Sequence, residues 1–164
     1  MPELALCING DSAYTPPSHI LENLTGELPH RRAPGAPHTI YAELWHAAFW
    51  QQITLDWVSG TETPCPETAA LGFPSAGQTE AEPFPDLCRR FLEGAAQAAA
   101  IADEETLIEQ PIRCPSPAGK PTRIMTVREQ LESLAAHNGY HFGRIVLLRQ
   151  ILGSWPPPSG GFTW

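Results

Sequence analysis

The placement of proline constrains this chain more than any other feature. Eighteen prolines fall in four clusters: six within residues 1–38, five within 64–85, four within 111–121 and three at 156–158. Residues 39–63, 86–110 and 122–155 contain none, and neither does the shorter stretch 18–28. Proline removes a backbone donor and collides with the preceding helical turn, so helices must lie between the clusters. The spacing predicts three long helices, one shorter one and proline-rich connectors. Proline and glycine together make up about 19% of the chain, short of the roughly 25–30% of low-complexity sequences. The prolines therefore punctuate a fold.

Local signals place the helices. Thr15 with Pro16 can open a first helix over about 16–26, with Gly26 at its end. A second, over 39–59, begins at the N-cap Thr39, carries Leu44/Trp45, Phe49/Trp50, Ile53 and Trp57/Val58 at helical spacing, and stops at Gly60. A third covers 86–109, with an alanine-rich stretch from Ala95 to Ala102 that favours helix but offers a thin packing face. The fourth, over 127–152, has a Thr126/Glu129 capping box and Gly153 as its stop. Its positions Val127, Leu131, Leu134, Asn138, His141, Ile145, Leu148 and Leu152 form the seam of a packed helix. Residues 1–14 read as a lead-in and 61–85 as a long connector crossing an end of the bundle. No strand-like runs or internal repeats stand out. These features predict an all-α four-helix bundle with long proline-rich connectors, formed as a single domain over 1–164.

Charge narrows the function classes. Ten Lys and Arg against 18 Asp and Glu give a formal charge of −8, opposite to a phosphate-backbone binder or an anionic-membrane binder, so no direct nucleic-acid partner and no membrane are expected. No apolar run approaches a membrane span, and the Leu4–Ile8 run is short for a signal-peptide core. Four scattered cysteines without a C-x-x-C pair suit reduced thiols and a cytoplasmic location.

The chemistry rests on histidine. His137 and His141 are four residues apart, so they lie about 40° apart on one helix face and about 6 Å apart along the axis. His141 sits on the apolar seam. His46, on the second helix, lies one turn before Phe49/Trp50. Three imidazoles from two facing helices can hold a divalent metal and leave open positions, as in catalytic zinc sites. Hydrogen-bonded core histidines are the alternative at this stage. His19, His30 and His38 fall in or near connectors and are expected in solvent. There is no H-E-x-x-H, G-x-S-x-G, P-loop or G-x-G-x-x-G. Glu43, one turn before His46, is the candidate catalytic base or partner of a ligand, against an ordinary exposed carboxylate. Arg144 and Arg149 can bind an anion or form surface ion pairs. Ala135, Ala136, Gly139 and Gly143 offer close approach to another helix, either within the chain or from a second subunit.

The run HNGYHFGRIVLLRQILG from His137 to Gly153, followed by Ser154-Trp155 and Pro156–Pro158, resembles the last helix of the DinB/YfiT-like proteins. Pro37-His38-Thr39-Ile40-Tyr41-Ala42-Glu43-Leu44-Trp45-His46 is similar to the start of that family's second helix. Gly10-Asp11-Ser12-Ala13-Tyr14 and the Arg31–Pro37 connector also match. The resemblance implies a four-helix bundle with a divalent metal, nickel or zinc, on a histidine triad that falls on His46, His137 and His141. It also implies a homodimer, and a reaction that uses a low-molecular-weight thiol with a small electrophilic substrate. No cysteine belongs to the triad, so the thiol would come from a cosubstrate. Two other readings are a metal-dependent hydrolase and a non-enzymatic metal-binding stress-response protein, the latter with a site blocked by the Trp155–Trp164 tail.

Overall fold

A computed structural model describes residues 3–10 and 12–161. Asp11 of the N-terminal matching segment and the last three residues of the Trp155–Trp164 tail lie outside the described residues. The structure is mostly helical, with one small two-stranded sheet. In chain order the helices are α1 (Glu3–Asn9), α2 (Pro17–Ile20), α3 (Ile40–Val58), α4 (Ala76–Ala81), α5 (Phe84–Ala102), α6 (Glu105–Ile108) and α7 (Val127–Ile151). The strands β1 (Pro111–Cys114) and β2 (Arg123–Thr126) lie between α6 and α7.

The two helices with clear local signals form where the sequence places them. Thr39 accepts a hydrogen bond from the Ala42 amide at the start of α3. Thr126 and Glu129 close a reciprocal capping box at the start of α7. Each satisfies amides that a helix start leaves without partners. Twelve of the nineteen α3 residues are buried, because α3 packs against both α5 and α7.

The remaining elements depart from expectation. The helix foreseen over 16–26 shrinks to the single turn of α2, which opens after Pro16 rather than on a Thr15 cap. Asn23 then takes a left-handed φ of 54°, which ends any continuation. The lead-in is instead helical: Ala5 and Ile8 of α1 are fully buried, against α5 and α7. The third helix stops at Ala102, and α6 restarts after Asp103 and Glu104. The expectation of no strands is corrected by the antiparallel pairing of Pro111 with Thr126 through Cys114 with Arg123. Pro111 opens β1, where a missing donor is tolerated, and Ile112 and Cys114 alternate inward. Within 61–85, residues Ala69–Gly72 form a 3-10 turn and Ser75 caps α4; the turn packs on α3.

The core has two parts. Tyr41, Leu44, Leu87, Phe91, Phe142 and Ile145 belong to one. Ile53, Trp57, Ala98, Leu131, Leu134 and Ile112 belong to the other. The early part of α3 thus meets the late part of α7, so the two helices run antiparallel. The buried polar side chains Gln51, Thr54, Gln130, Asn138 and His141 lie along the two helices. Arg149, expected on the surface, is only 1% exposed. Its guanidinium donates to the carbonyls of Ser154 and Ile20, tying the end of α7 to α2. Of the small residues on α7, Gly143 is exposed and faces open space, and Gly139 meets only the Tyr14 ring. The expected close packing of Gly143 within the chain is therefore not made.

Candidate metal centre

The antiparallel packing of α3 on α7 brings His46 to the turn of α7 that carries His137 and His141. One potential ligand atom from each of the three lies within 4.8 Å of the other two. The ring centroids are 4.4 Å apart for His137 and His141, 4.5 Å for His46 and His141, and 5.1 Å for His46 and His137. His19, His30 and His38 stand apart from this cluster. His30 stacks on Tyr41, and His38 stacks on Phe73 with centroids 3.9 Å apart. All three, His19 included, are half-buried rather than free in solvent.

The bonds on the outer side of each ring decide what the inner side can do. His46 Nδ1 is 2.8 Å from the Gly72 carbonyl oxygen, which can only accept. The proton therefore sits on Nδ1, and Nε2 presents a lone pair. His141 Nδ1 is 2.7 Å from Glu43 Oε2, with the same result. His46 Nε2 lies 3.2 Å from His137 Nε2. His137 Nε2–H donates to that lone pair, and His137 Nδ1 is buried without a partner. An unpaired buried polar atom is costly. Three imidazoles that bring nitrogens within 4.8 Å of one another, two of them with lone pairs fixed inward, form a donor set that fits a divalent metal.

The electrostatics agree. Burial, reinforced by His141 and His46, pushes the His137 imidazole down to about 4. Burial is also the main cause of the lowered His46 pKa. Both rings are thus held neutral, the protonation state that ligates metal. Glu43, read from residue type as more plausibly exposed, is completely buried. Burial alone would raise its pKa, but the His141 hydrogen bond and the Arg144 charge bring it below the usual value. Arg144 Nη2 lies 2.8 Å from Glu43 Oε1, and its Nη1 donates to the Tyr140 hydroxyl at 3.0 Å. Glu43 is thereby clamped between Arg144 and His141. It orients a ring through its second nitrogen, as partners of metal-binding histidines generally do.

The surroundings include groups that the sequence did not single out. Phe73 stacks on His46 at 4.2 Å, between that ring and His38. Trp50 meets His46 and His137 edge-on. Gly72 has no side chain because a Cβ there would lie 3.3 Å from the His46 ring. Nothing periodic in the 61–85 connector signals Gly72 or Phe73. Arg144, expected to bind an anion or to form a surface ion pair, is paired instead with the buried Glu43.

Beside His137 a cavity of about 140 Å³ runs between α3, α7 and the β-hairpin, with Trp50, Trp57, Leu134 and Gln130 in its wall. Among the described residues no helix is long and apolar enough to cross a membrane. No curated protein matches the chain. Residues 18–145, more than three-quarters of the chain, match the DinB superfamily. That span starts within α2, takes in all of α3 and α5, and runs through the His137 and His141 turns of α7 to Ile145. A match embracing both helices that build the histidine cluster establishes the family, and the chain belongs to the DinB superfamily.

Proposed function

We propose that this protein is a four-helix-bundle enzyme that binds nickel or zinc through His46, His137 and His141 and transfers a low-molecular-weight thiol to a small electrophile. The observation that carries this reading is the pair of outward anchors, Gly72 on His46 and Glu43 on His141, which leave both Nε2 lone pairs facing His137. A divalent ion there supplies Lewis acidity, which favours the thiolate form of a bound thiol. The chain's own residues do the rest. Glu43, held by Arg144, fixes the tautomer and angle of His141. Phe73 and Trp50 keep water from two sides of His46. The cavity beside His137 gives a small molecule room, which favours turnover over a site that merely stores metal.

Thiol transfer stands ahead of hydrolysis for a specific reason. A metal on three histidines can itself ionise a bound water, so what weighs against hydrolysis is the lack, among the described residues, of a free carboxylate base beside the triad. Glu43 Oε2 is tied to the His141 ring and Oε1 faces the Arg144 guanidinium at 2.8 Å as an ion pair without a hydrogen bond, and this charge pairing suits a positioning role more than proton abstraction. The four cysteines are free, which suits a reducing compartment such as the cytoplasm. A homodimer fits the exposed α7 stripe of Tyr140, Leu147 and Ile151, with Gly143 in the same stripe.

The test is metal analysis of protein purified without a histidine tag, before and after reloading, with the triple histidine-to-alanine variant as control. One equivalent of metal in the wild type, absent from the variant, is expected. Loaded protein should then conjugate a thiol to 1-chloro-2,4-dinitrobenzene, and His141→Ala should abolish this. Stoichiometric metal without turnover across several thiols and electrophiles would leave a metal-binding protein. No metal after reloading would remove the reading altogether.

A further inference from the structure

The cavity beside His137 has a chemical character of its own. Its volume, about 140 Å³, is close to that of a protein cavity of roughly 150 Å³ that admits one benzene molecule. Trp50, Trp57 and Leu134 give it an apolar body. Part of its polar wall is engaged within the chain. The Trp57 indole N–H donates to the Thr63 carbonyl, and Gln130 Nε2 donates to Thr54 Oγ1. The single formal charge in the wall belongs to Arg123, on the first residue of β2. Arg123 pairs with no carboxylate among the described residues, whereas Arg113 on the partner strand is paired with Glu62.

The segment that brings Arg123 to the cavity is itself unusual in this acidic chain. Residues 111–126 carry Arg113, Lys120 and Arg123 and no Asp or Glu. Arg123 and Lys120 lie near enough to Cys65, another wall residue, for their charges to act on its thiol. On α7 the wall runs from Gln130 to His137, seven residues or about 10 Å of helix. The cavity thus has a histidine end, an apolar middle and a cationic end.

We infer that this cavity is the substrate pocket and that it selects small organic acids: an apolar body of about four to eight non-hydrogen atoms whose carboxylate meets Arg123 while its other end faces His137. Arg123 is a specificity determinant that lies outside the histidine cluster. The inference rests on the proposed metal reading only for what happens at the His137 end. A guanidinium binds a carboxylate through two parallel N–H donors, which an amide in the same place cannot match. Arg123 is exposed, so solvent moderates the gain.

The test has two arms. In the first, calorimetry compares 3-mercaptopropionate with 3-mercaptopropionamide on metal-loaded wild type, Arg123→Ala and Arg123→Lys. The acid is expected to bind roughly five- to tenfold more tightly than the amide to the wild type. The preference should fall within about twofold in Arg123→Ala and survive in part in Arg123→Lys. The second arm needs no metal. Butyrate, but not butyramide, should slow iodoacetamide alkylation of Cys65, read by peptide mass spectrometry, and Arg123→Ala should abolish that protection. Equal binding of acid and amide, or a preference that survives Arg123→Ala, would overturn the inference. If the protein retains no metal, the butyrate arm still decides whether the pocket selects acids.

Discussion

Helices α3 and α7 bury two polar groupings, and these differ in one respect. On the amide side, Gln51 donates to the Phe91 carbonyl at 2.8 Å, Asn138 reaches Gln51 at 3.4 Å, and Gln130 reaches Thr54 at 3.1 Å. Nearly every donor and acceptor there finds a partner inside the chain, although Asn138 Oδ1 does not. On the histidine side, the outer nitrogens of His46 and His141 are tied to Gly72 and Glu43, that of His137 has no partner among the described residues, and the inner nitrogens face one another. Burial of polar groups is thus common to a fastening and to a site. Lone pairs left aimed at a shared space belong to the site alone.

Metal removal should separate the two most strongly. At free metal a thousand times the dissociation constant, binding stabilises a fold by about 4 kcal/mol. Replacing His46, His137 or His141 by alanine should remove most of that gain, read as the difference in thermal unfolding with and without chelator. A wild type indifferent to chelator would make the two groupings equivalent. Glu43→Gln comes next, with metal affinity expected to fall about 10- to 100-fold, since the amide keeps the shape but loses the Arg144 ion pair. Competition against a fluorescent chelator measures it, and an unchanged affinity would make Glu43 a bystander. On the amide side, Gln130→Leu should cost about 1–3 kcal/mol of stability by stranding its partners. Its metal affinity should stay near that of the wild type, and a large loss would show that the groupings are coupled.

The same contrast governs how much could be read from residues alone. Helices α3 and α7 were legible because their caps and spacing are local, and the His137/His141 pair because four residues is one helical step. The surrounding contacts were not local. Glu43 looks like a surface carboxylate until α7, nearly a hundred residues later, brings His141 and Arg144 to it. Strands β1 and β2 have four residues each, too few for alternation to stand out beside Pro111 and Pro115. Helix α1 was passed over because a seven-residue segment gains its stability from tertiary packing rather than from pattern. Gly72 came from a connector with no periodicity at all, yet its carbonyl sets the His46 tautomer.

That carbonyl offers a finer cut. Gly72→Ala places a methyl 3.3 Å from the His46 ring and 3.4 Å from Trp50 Nε1, so the ring must give by a few tenths of an ångström. The expected result is weaker metal binding than wild type, but a smaller loss than in Glu43→Gln, with unfolding of the chelated protein little changed. Equal metal affinity would mean that the 3-10 turn tolerates displacement and that only the carboxylate anchor matters.

The most gradual effect is in the pH dependence of the chelated protein. His137 is held down to about 4 and His46 is also lowered, whereas unfolded histidine titrates near 6.5. Between those values the unfolded chain binds more protons than the folded one, so stability rises with pH through the window and is lost as pH falls through it. Glu43, lowered in the fold, extends the loss to more acidic pH, because its unfolded carboxyl protonates first. Stability should therefore be level above about pH 7 and decline steadily below pH 6.5. His137→Gln should flatten the upper part of that decline, as followed by urea unfolding at successive pH values. Gln130→Leu, which removes no titrating group, should lower the whole curve without changing its slope. A slope that follows Gln130 instead would place the acid sensitivity in the amide layer and reverse the distinction between the two sides.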